Sequence, residues 1–173
     1  TVQVGLNILP SSTPVVTTKP THTSGTGQMI LSPVSKNWSL PTDYAPYTVD
    51  TQLAGGWSVT PETKDHLQSL FSAAERSGIK IQIISGYRSY QNQVYTFNYW
   101  VSREMATGKT REQAEVAANV YSARPGQSEH QLGTTLDLKC VGCADFDDSA
   151  GNSAVYEFIR QNGHKYGFVI SYP

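Results

Sequence analysis

Apolar and polar positions change period several times along this chain, and the changes mark its elements. Near the start, Val2, Val4, Leu6 and Ile8 alternate with Gln3, Gly5 and Asn7, the period of a half-buried strand. Thr60-Pro61 reads as an N-cap followed by proline at the first helical position. Leu67, Leu70, Phe71 and Ala74 then keep helical spacing until Gly78 ends the helix. Residues 79–84 are a β-branched run, short enough for a buried strand, and the loop Ser85-Gly86-Tyr87-Arg88-Ser89 follows. A second helix is predicted over 90–106, with Val94, Phe97, Val101 and Met105 on one side. Thr110 and Gln113 form a capping-box pattern for a third, carrying Ala114, Ala117, Ala118 and Tyr121. After the loop Arg124-Pro125-Gly126-Gln127, residues 133–138 read as a strand. Leu136 and Leu138 face one side of it, Thr135 and Asp137 the other. A last helix is predicted over 153–161, ending at Asn162-Gly163, and a final strand over 168–172. Helices and strands do not follow a strict βαβ alternation. That favours an α+β domain with a largely antiparallel sheet.

Composition divides the chain in two. Residues 1–28 are rich in Thr, Ser, Pro and Gly and nearly free of charge, the composition of a linker or arm. The strand pattern at 2–8 lies within this arm and suits addition to a sheet edge, in its own domain or a neighbour's. The folded domain is assigned to 29–173, with its first core positions between Leu31 and Trp38. At 173 residues one domain with a sizeable core is expected. Lys and Arg number 13 against 14 Asp and Glu, a balance that argues against nucleic acid or an anionic membrane as the main partner. No apolar run reaches the length of a membrane span. The first residue is Thr1, so the chain reads as processed or trimmed, and the lack of a signal peptide says nothing about export.

The two cysteines stand as Cys140-Val141-Gly142-Cys143. A zinc ribbon needs a second such pair. A thioredoxin-like site needs a helix start, and the glycine- and acid-rich run that follows is a poor one. A local disulfide of an exported protein and two free thiols both remain.

The candidate chemistry centres on Ser128-Glu129-His130-Gln131-Leu132-Gly133-Thr134-Thr135-Leu136-Asp137. Zinc accepts imidazole nitrogen and carboxylate oxygen, and His130 and Asp137 offer one of each across a glycine that lets the backbone turn. Taken alone, His-x6-Asp is a weak pattern, equally met by a solvated loop histidine and a buried aspartate held by backbone donors. Ser128 reads as a turn serine or as a hydrogen-bonding group for a substrate. Arg88 sits in a loop directly after a buried strand, placed to hold a carboxylate or an oxyanion, or to form a structural ion pair. Gln93 falls on the first turn of the next helix, pointing back to the same cleft or out to solvent.

Taken together, three separated motifs are specific. Ser85-Gly86-Tyr87-Arg88-Ser89-Tyr90 with Gln93, then Ser128-x-His130-x-x-Gly133-x-x-x-Asp137, then Asn162-Gly163-His164-Lys165-Tyr166-Gly167-Phe168, resemble the VanY-like D-alanyl-D-alanine carboxypeptidases. The match runs from Leu40 to Pro173 in order and spacing. The resemblance implies a hedgehog/D-Ala-D-Ala peptidase-like α+β fold, a central mostly antiparallel sheet with flanking helices. It implies a zinc (Zn2+) peptidase acting on peptidoglycan stem peptides ending in D-Ala, outside the cell or in the envelope of a bacterium. His130 and Asp137 would be zinc ligands, Arg88 the catalytic group that polarises the substrate, and Ser128, Gln93 and Tyr87 substrate-binding. Thr135 stands where the family usually has alanine.

The family also carries, after the strand matching residues 168–172, a segment with a glutamate (the general base), a tryptophan and a histidine (the third ligand). This chain stops at Pro173, so the expectation is a truncated, impaired form, with third ligand and base absent. His164 belongs to the family's structural pattern, His22 lies in the arm, His66 lies on a surface-type helix, and Glu129 is expected to turn away from the cleft. The alternatives are a non-catalytic cell-wall-binding module and a related L,D- or endopeptidase. A missing closing strand would bare a sheet edge, and residues 2–8, or a second molecule through strand-mediated self-association, are expected to cover it.

Overall fold

Local chemistry starts three of the helices. The Thr60 hydroxyl accepts from the Thr63 amide, and Pro61 follows at a position whose amide would have no partner. The Ser89 hydroxyl accepts from the Asn92 amide at 3.1 Å. Thr110 and Gln113 satisfy one another's backbone donors, at 3.3 and 3.0 Å, in a complete capping box.

The computed structural model describes residues 2–6, 34, 38–145 and 150–172. Its elements in chain order are β1 (Val2–Leu6), β2 (Val49–Asp50), β3 (Ser58–Val59), α1 (Pro61–Arg76), β4 (Ile81–Ser85), α2 (Tyr90–Met105), α3 (Arg111–Tyr121), β5 (Thr135–Cys140), α4 (Ala150–Asn162) and β6 (Phe168–Tyr172). Short 3-10 turns span Glu129–Leu132 and Gly163–Tyr166. Of the predicted arm, Thr1 and residues 7–28 lie outside the described residues, as do residues 29–33 and 35–37 of the predicted domain.

Four strands form one sheet in the order β4-β5-β1-β6, and every pairing is antiparallel. The expected α+β class with antiparallel strands holds. β1 lies between β5 and β6, where Gln3 pairs with Asp137 and Leu6 with Phe168. β2 and β3 make a separate two-stranded pair that the apolar pattern did not predict, since each is only two residues long.

The core sits on the leucine side of β5. Leu136 and Leu138 are fully buried there with Leu67 and Leu70 of α1, Ile83 of β4, Val155 of α4 and Phe168 of β6. Each such aliphatic side chain stabilises the fold by roughly 1.5–3 kcal/mol through removal from water. α2 and α3 share a small cluster of their own, Phe97 and Val101 against Ala114 and Ala118.

α4 begins at Ala150, before the predicted 153, because its first turn is held from outside the helix. Asn152 Oδ1 accepts from the Cys140 amide at 3.0 Å, and Gly151 packs against both cysteine sulfurs. Those sulfurs form a disulfide, Cys140–Cys143, which decides between the two readings left open by the spacing.

One irregularity in the sheet positions the site. Ile83 pairs with Leu138, yet Ser85 pairs with Asp137, so β4 advances by two residues while β5 advances by one. This bulge turns Ser85 off the apolar face that Ile81 and Ile83 share, and onto the face of Asp137.

Candidate active site

Four segments converge on the polar face of β5. The strand presents Asp137, the turn Glu129–Leu132 presents His130, the loop after β4 presents Arg88, and the start of α2 presents Gln93. Gly133, at φ 73°, closes the turn in the left-handed region that favours glycine, and its carbonyl accepts from the Thr60 amide at 2.9 Å. Gly86 is needed for a different reason: a Cβ there would stand 2.9 Å from both the Ser58 carbonyl oxygen and Trp57 Cβ. β3 thus packs directly under the loop, and the Tyr87 amide donates to that Ser58 oxygen at 2.8 Å.

His130 and Asp137 meet as the motif suggested, with Nε2 and Oδ2 3.3 Å apart and side chains 7% and 16% exposed. The other imidazole nitrogen, Nδ1, lies 2.8 Å from the Gly86 carbonyl oxygen. A carbonyl only accepts, so Nδ1 carries a hydrogen, and Nε2 is the ring nitrogen turned toward Asp137. Nε2 and Oδ2 are both atoms that can ligate a metal, and they stand 3.3 Å apart. Two donors on one tetrahedral zinc, each about 2.0–2.2 Å from it, stand roughly 3.3–3.5 Å apart. The pair fits two ligands of such an ion, and the Gly86 carbonyl supplies the outer hydrogen bond that metal-binding histidines usually make. Among the described residues, no group of three or more His, Cys, Asp or Glu side chains is placed to hold a metal.

Arg88 is held on three sides. Its amide donates to the His130 carbonyl at 3.0 Å, Nη1 to Gln93 Oε1 at 2.9 Å and Nη2 to Ser85 Oγ at 2.8 Å. Burial lowers the pKa of the guanidinium from its usual value, and the Asp137 charge works against that. Gln93, only 1% exposed, donates in turn to the Ala123 carbonyl at 2.6 Å. Both ends of its amide are therefore occupied by protein, and its link to the site runs through Arg88. Tyr87 lies beside Tyr44; burial raises both phenol pKa values, and the charge of Tyr87 raises that of Tyr44 further. Ser128 is buried directly before the turn, with its carbonyl accepting from the Gln131 amide at 3.1 Å.

Three groups at this site escape a reading of the motifs for chemistry. The Ser85 hydroxyl lies 3.5 Å from His130 Nδ1 as well as on Arg88, and the Gly86 carbonyl orients the imidazole. Gln3 of β1 is the register partner of Asp137 and donates to Glu129 Oε2 at 3.3 Å, which places the Glu129 carboxylate against β1. A polar residue closing the β-branched run was the available signal for Ser85; nothing local marks the other two.

Sequence and structure comparisons with known proteins converge on one family. The family model described as VanY, D-alanyl-D-alanine carboxypeptidase, matches residues 56–173. A D-alanyl-D-alanine carboxypeptidase of Enterococcus faecalis is 36% identical over 130 residues, covering 75% of this chain and 47% of the relative. The chain spans about half the length of the curated relatives it matches. Among solved structures, a mutant of the vancomycin resistance D,D-pentapeptidase VanY in complex with Zn(II) is 33% identical at a TM-score of 0.66, over 81% of this chain and 75% of that one. VanYB in complex with D-alanine-D-alanine is 34% identical at a TM-score of 0.67, covering 81% and 74%. The LdcB LD-carboxypeptidase is 30% identical at 0.70, covering 83% and 67%.

Proposed function

The chain belongs to the VanY family of D-alanyl-D-alanine carboxypeptidases, and from that premise we propose that it is a zinc-dependent peptidase that removes the terminal D-alanine from peptidoglycan stem peptides in a bacterial envelope. The observation that carries the reading is the pair His130 Nε2 and Asp137 Oδ2, 3.3 Å apart as two ligands of one zinc would be, with the Arg88 guanidinium feeling the Asp137 charge. His130 and Asp137 would hold the metal, which when bound supplies a Lewis acid and an activated water. The chain's own residues do the rest. Arg88 gives one bond to Gln93 and one to Ser85, and the remaining donors of its fork suit the peptide carboxylate or the carbonyl next to the scissile bond. In that buried setting its charge favours an oxyanion developing nearby. Ser128 and Tyr87 would border the peptide.

The likeness to an LD-carboxypeptidase favours a second reading, in which the residue before the terminal D-alanine is an L-amino acid. Two synthetic stem peptides, identical but for a D or L residue at that position, separate the two. D-alanine release is measured with zinc and after chelation, in the native chain and in Asp137→Ala. Release that depends on zinc and disappears in the variant is the expected result. Full activity surviving in Asp137→Ala would sink the metal assignment, and peptide binding without release would show a cell-wall-binding module. We also propose strand-mediated self-association through residues 2–8, by exchange of β1 from its own sheet into that of a second copy.

A further inference from the structure

We propose that Ser85 is a positioning residue that ties the guanidinium of Arg88 to the imidazole of His130. The inference rests on the reading above, in which Arg88 meets the substrate and His130 the metal.

The bulge in β4 is the first observation. Without it Ser85 would continue the buried alternation of Ile81 and Ile83 and face the core; with it Ser85 pairs with Asp137 and shares that residue's face. Bulges of this kind re-aim a side chain beside a site. The second observation is what the side chain meets there. Ser85 is 6% exposed, and its oxygen accepts from Arg88 Nη2 at 2.8 Å while lying 3.5 Å from His130 Nδ1. The Nδ1 hydrogen is committed to the Gly86 carbonyl at 2.8 Å, so the serine oxygen is its second, longer acceptor. One hydroxyl thus contacts both functional groups, through Nη2 of Arg88 and beside Nδ1 of His130. The direct bonds of Arg88 elsewhere, through Nη1 to Gln93 and its amide to the His130 carbonyl, leave Nη2 with Ser85 as its partner.

Removing the hydroxyl leaves a buried charged donor unpaired, so the guanidinium must rotate, and the imidazole loses the group that limits its tilt. Both functions then change together. Outer partners of metal ligands typically change metal affinity or activity by about 10–100-fold when removed. Ser85→Ala should therefore lower zinc affinity by about that factor and weaken binding of the D-alanyl-D-alanine dipeptide in parallel. Ser85→Thr, which keeps the hydroxyl, should restore most of both.

The experiment uses the 173-residue chain and has two arms. Zinc and dipeptide affinities are measured by calorimetry in the native chain, Ser85→Ala and Ser85→Thr. Nitrogen-15 NMR of the metal-free proteins follows His130 Nδ1–H and the Arg88 side chain. The expected result is at least about tenfold faster exchange of the Arg88 protons with water and a shifted His130 signal in Ser85→Ala, both reversed in Ser85→Thr. A purely structural serine would lower the melting temperature and move neither signal, and that outcome overturns the inference. Unchanged zinc affinity in Ser85→Ala overturns it as well. If the native chain binds neither zinc nor dipeptide, the proposed function falls, and the NMR arm alone decides the role of Ser85.

Discussion

Replacing Gln93 by methionine tests how the site is joined to the helical hairpin. Methionine has similar length and helix propensity, so the change removes hydrogen bonds and little else. Gln93 is 1% exposed, accepts from Arg88 Nη1 at 2.9 Å and donates to the Ala123 carbonyl at 2.6 Å. The substitution strips a partner from a buried cation on one side and from a carbonyl on the other. A hydrogen bond to a charged group contributes about 1.5–3 kcal/mol, and an unsatisfied neutral group costs about 1–3 kcal/mol. Arg88 keeps its Nη2 bond to Ser85, and water has some access to a guanidinium that is not fully enclosed, so the lower half of the combined range applies. The expected loss is about 3 kcal/mol. For a chain of this size that is a fall in melting temperature of roughly 6–12 °C. Guanidinium titration of native chain and variant, with the slope unchanged, gives the difference directly. Dipeptide affinity should fall with it, because Arg88 is freed at Nη1. Arg88→Met is the control. In that background Gln93→Met should cost clearly less, since half of what the amide holds is already gone. A loss below about 1 kcal/mol in the single variant, or equal losses in both backgrounds, would show that the amide does not join the two segments.

Glu157 gives a pH dependence of known sign. Its hydrogen bonds to Arg160 and Gln161 lower its pKa to about 2. A depressed folded-state value means the contribution is present above the unfolded value, near 4.3, and is lost as pH falls toward 2. Glu157→Gln should therefore flatten the acid limb of the stability curve in that window, as followed by urea titrations at stepped pH. Deletion of residues 1–6 should speed hydrogen exchange at the β5 and β6 amides that pair with β1, and should raise association by baring two sheet edges. Sedimentation of the native chain tests exchange of β1 between copies: a concentration-dependent dimer is expected, and a monomer at every concentration with both strands protected refutes it.

Much of this molecule was legible in the chain because the relevant interactions are local. The starts of α1 and α3 follow from hydroxyl and amide contacts over three residues, and β6 from a short apolar run closed by glycine at its start. The motifs likewise grouped His130, Asp137 and Arg88, and the structure brings the three side by side. What stayed hidden depends on contacts between residues far apart in sequence. Ser85 and His130 are 45 positions apart, and Gln3 and Glu129 are 126. The role of Ser85 depends on a one-residue slip in strand pairing, which no periodicity in either strand records. The side of Gln93 that faces protein, the partner of His130 Nδ1 and the seat of β1 between two distant strands were open for the same reason. The sequence by itself determined which side chains were candidates for a metal and a peptide, because three separated motifs together resemble one family where the spacing of His130 and Asp137 alone is weak. Only the tertiary structure decided which groups hold those side chains, because register and burial are settled by packing across the whole sheet.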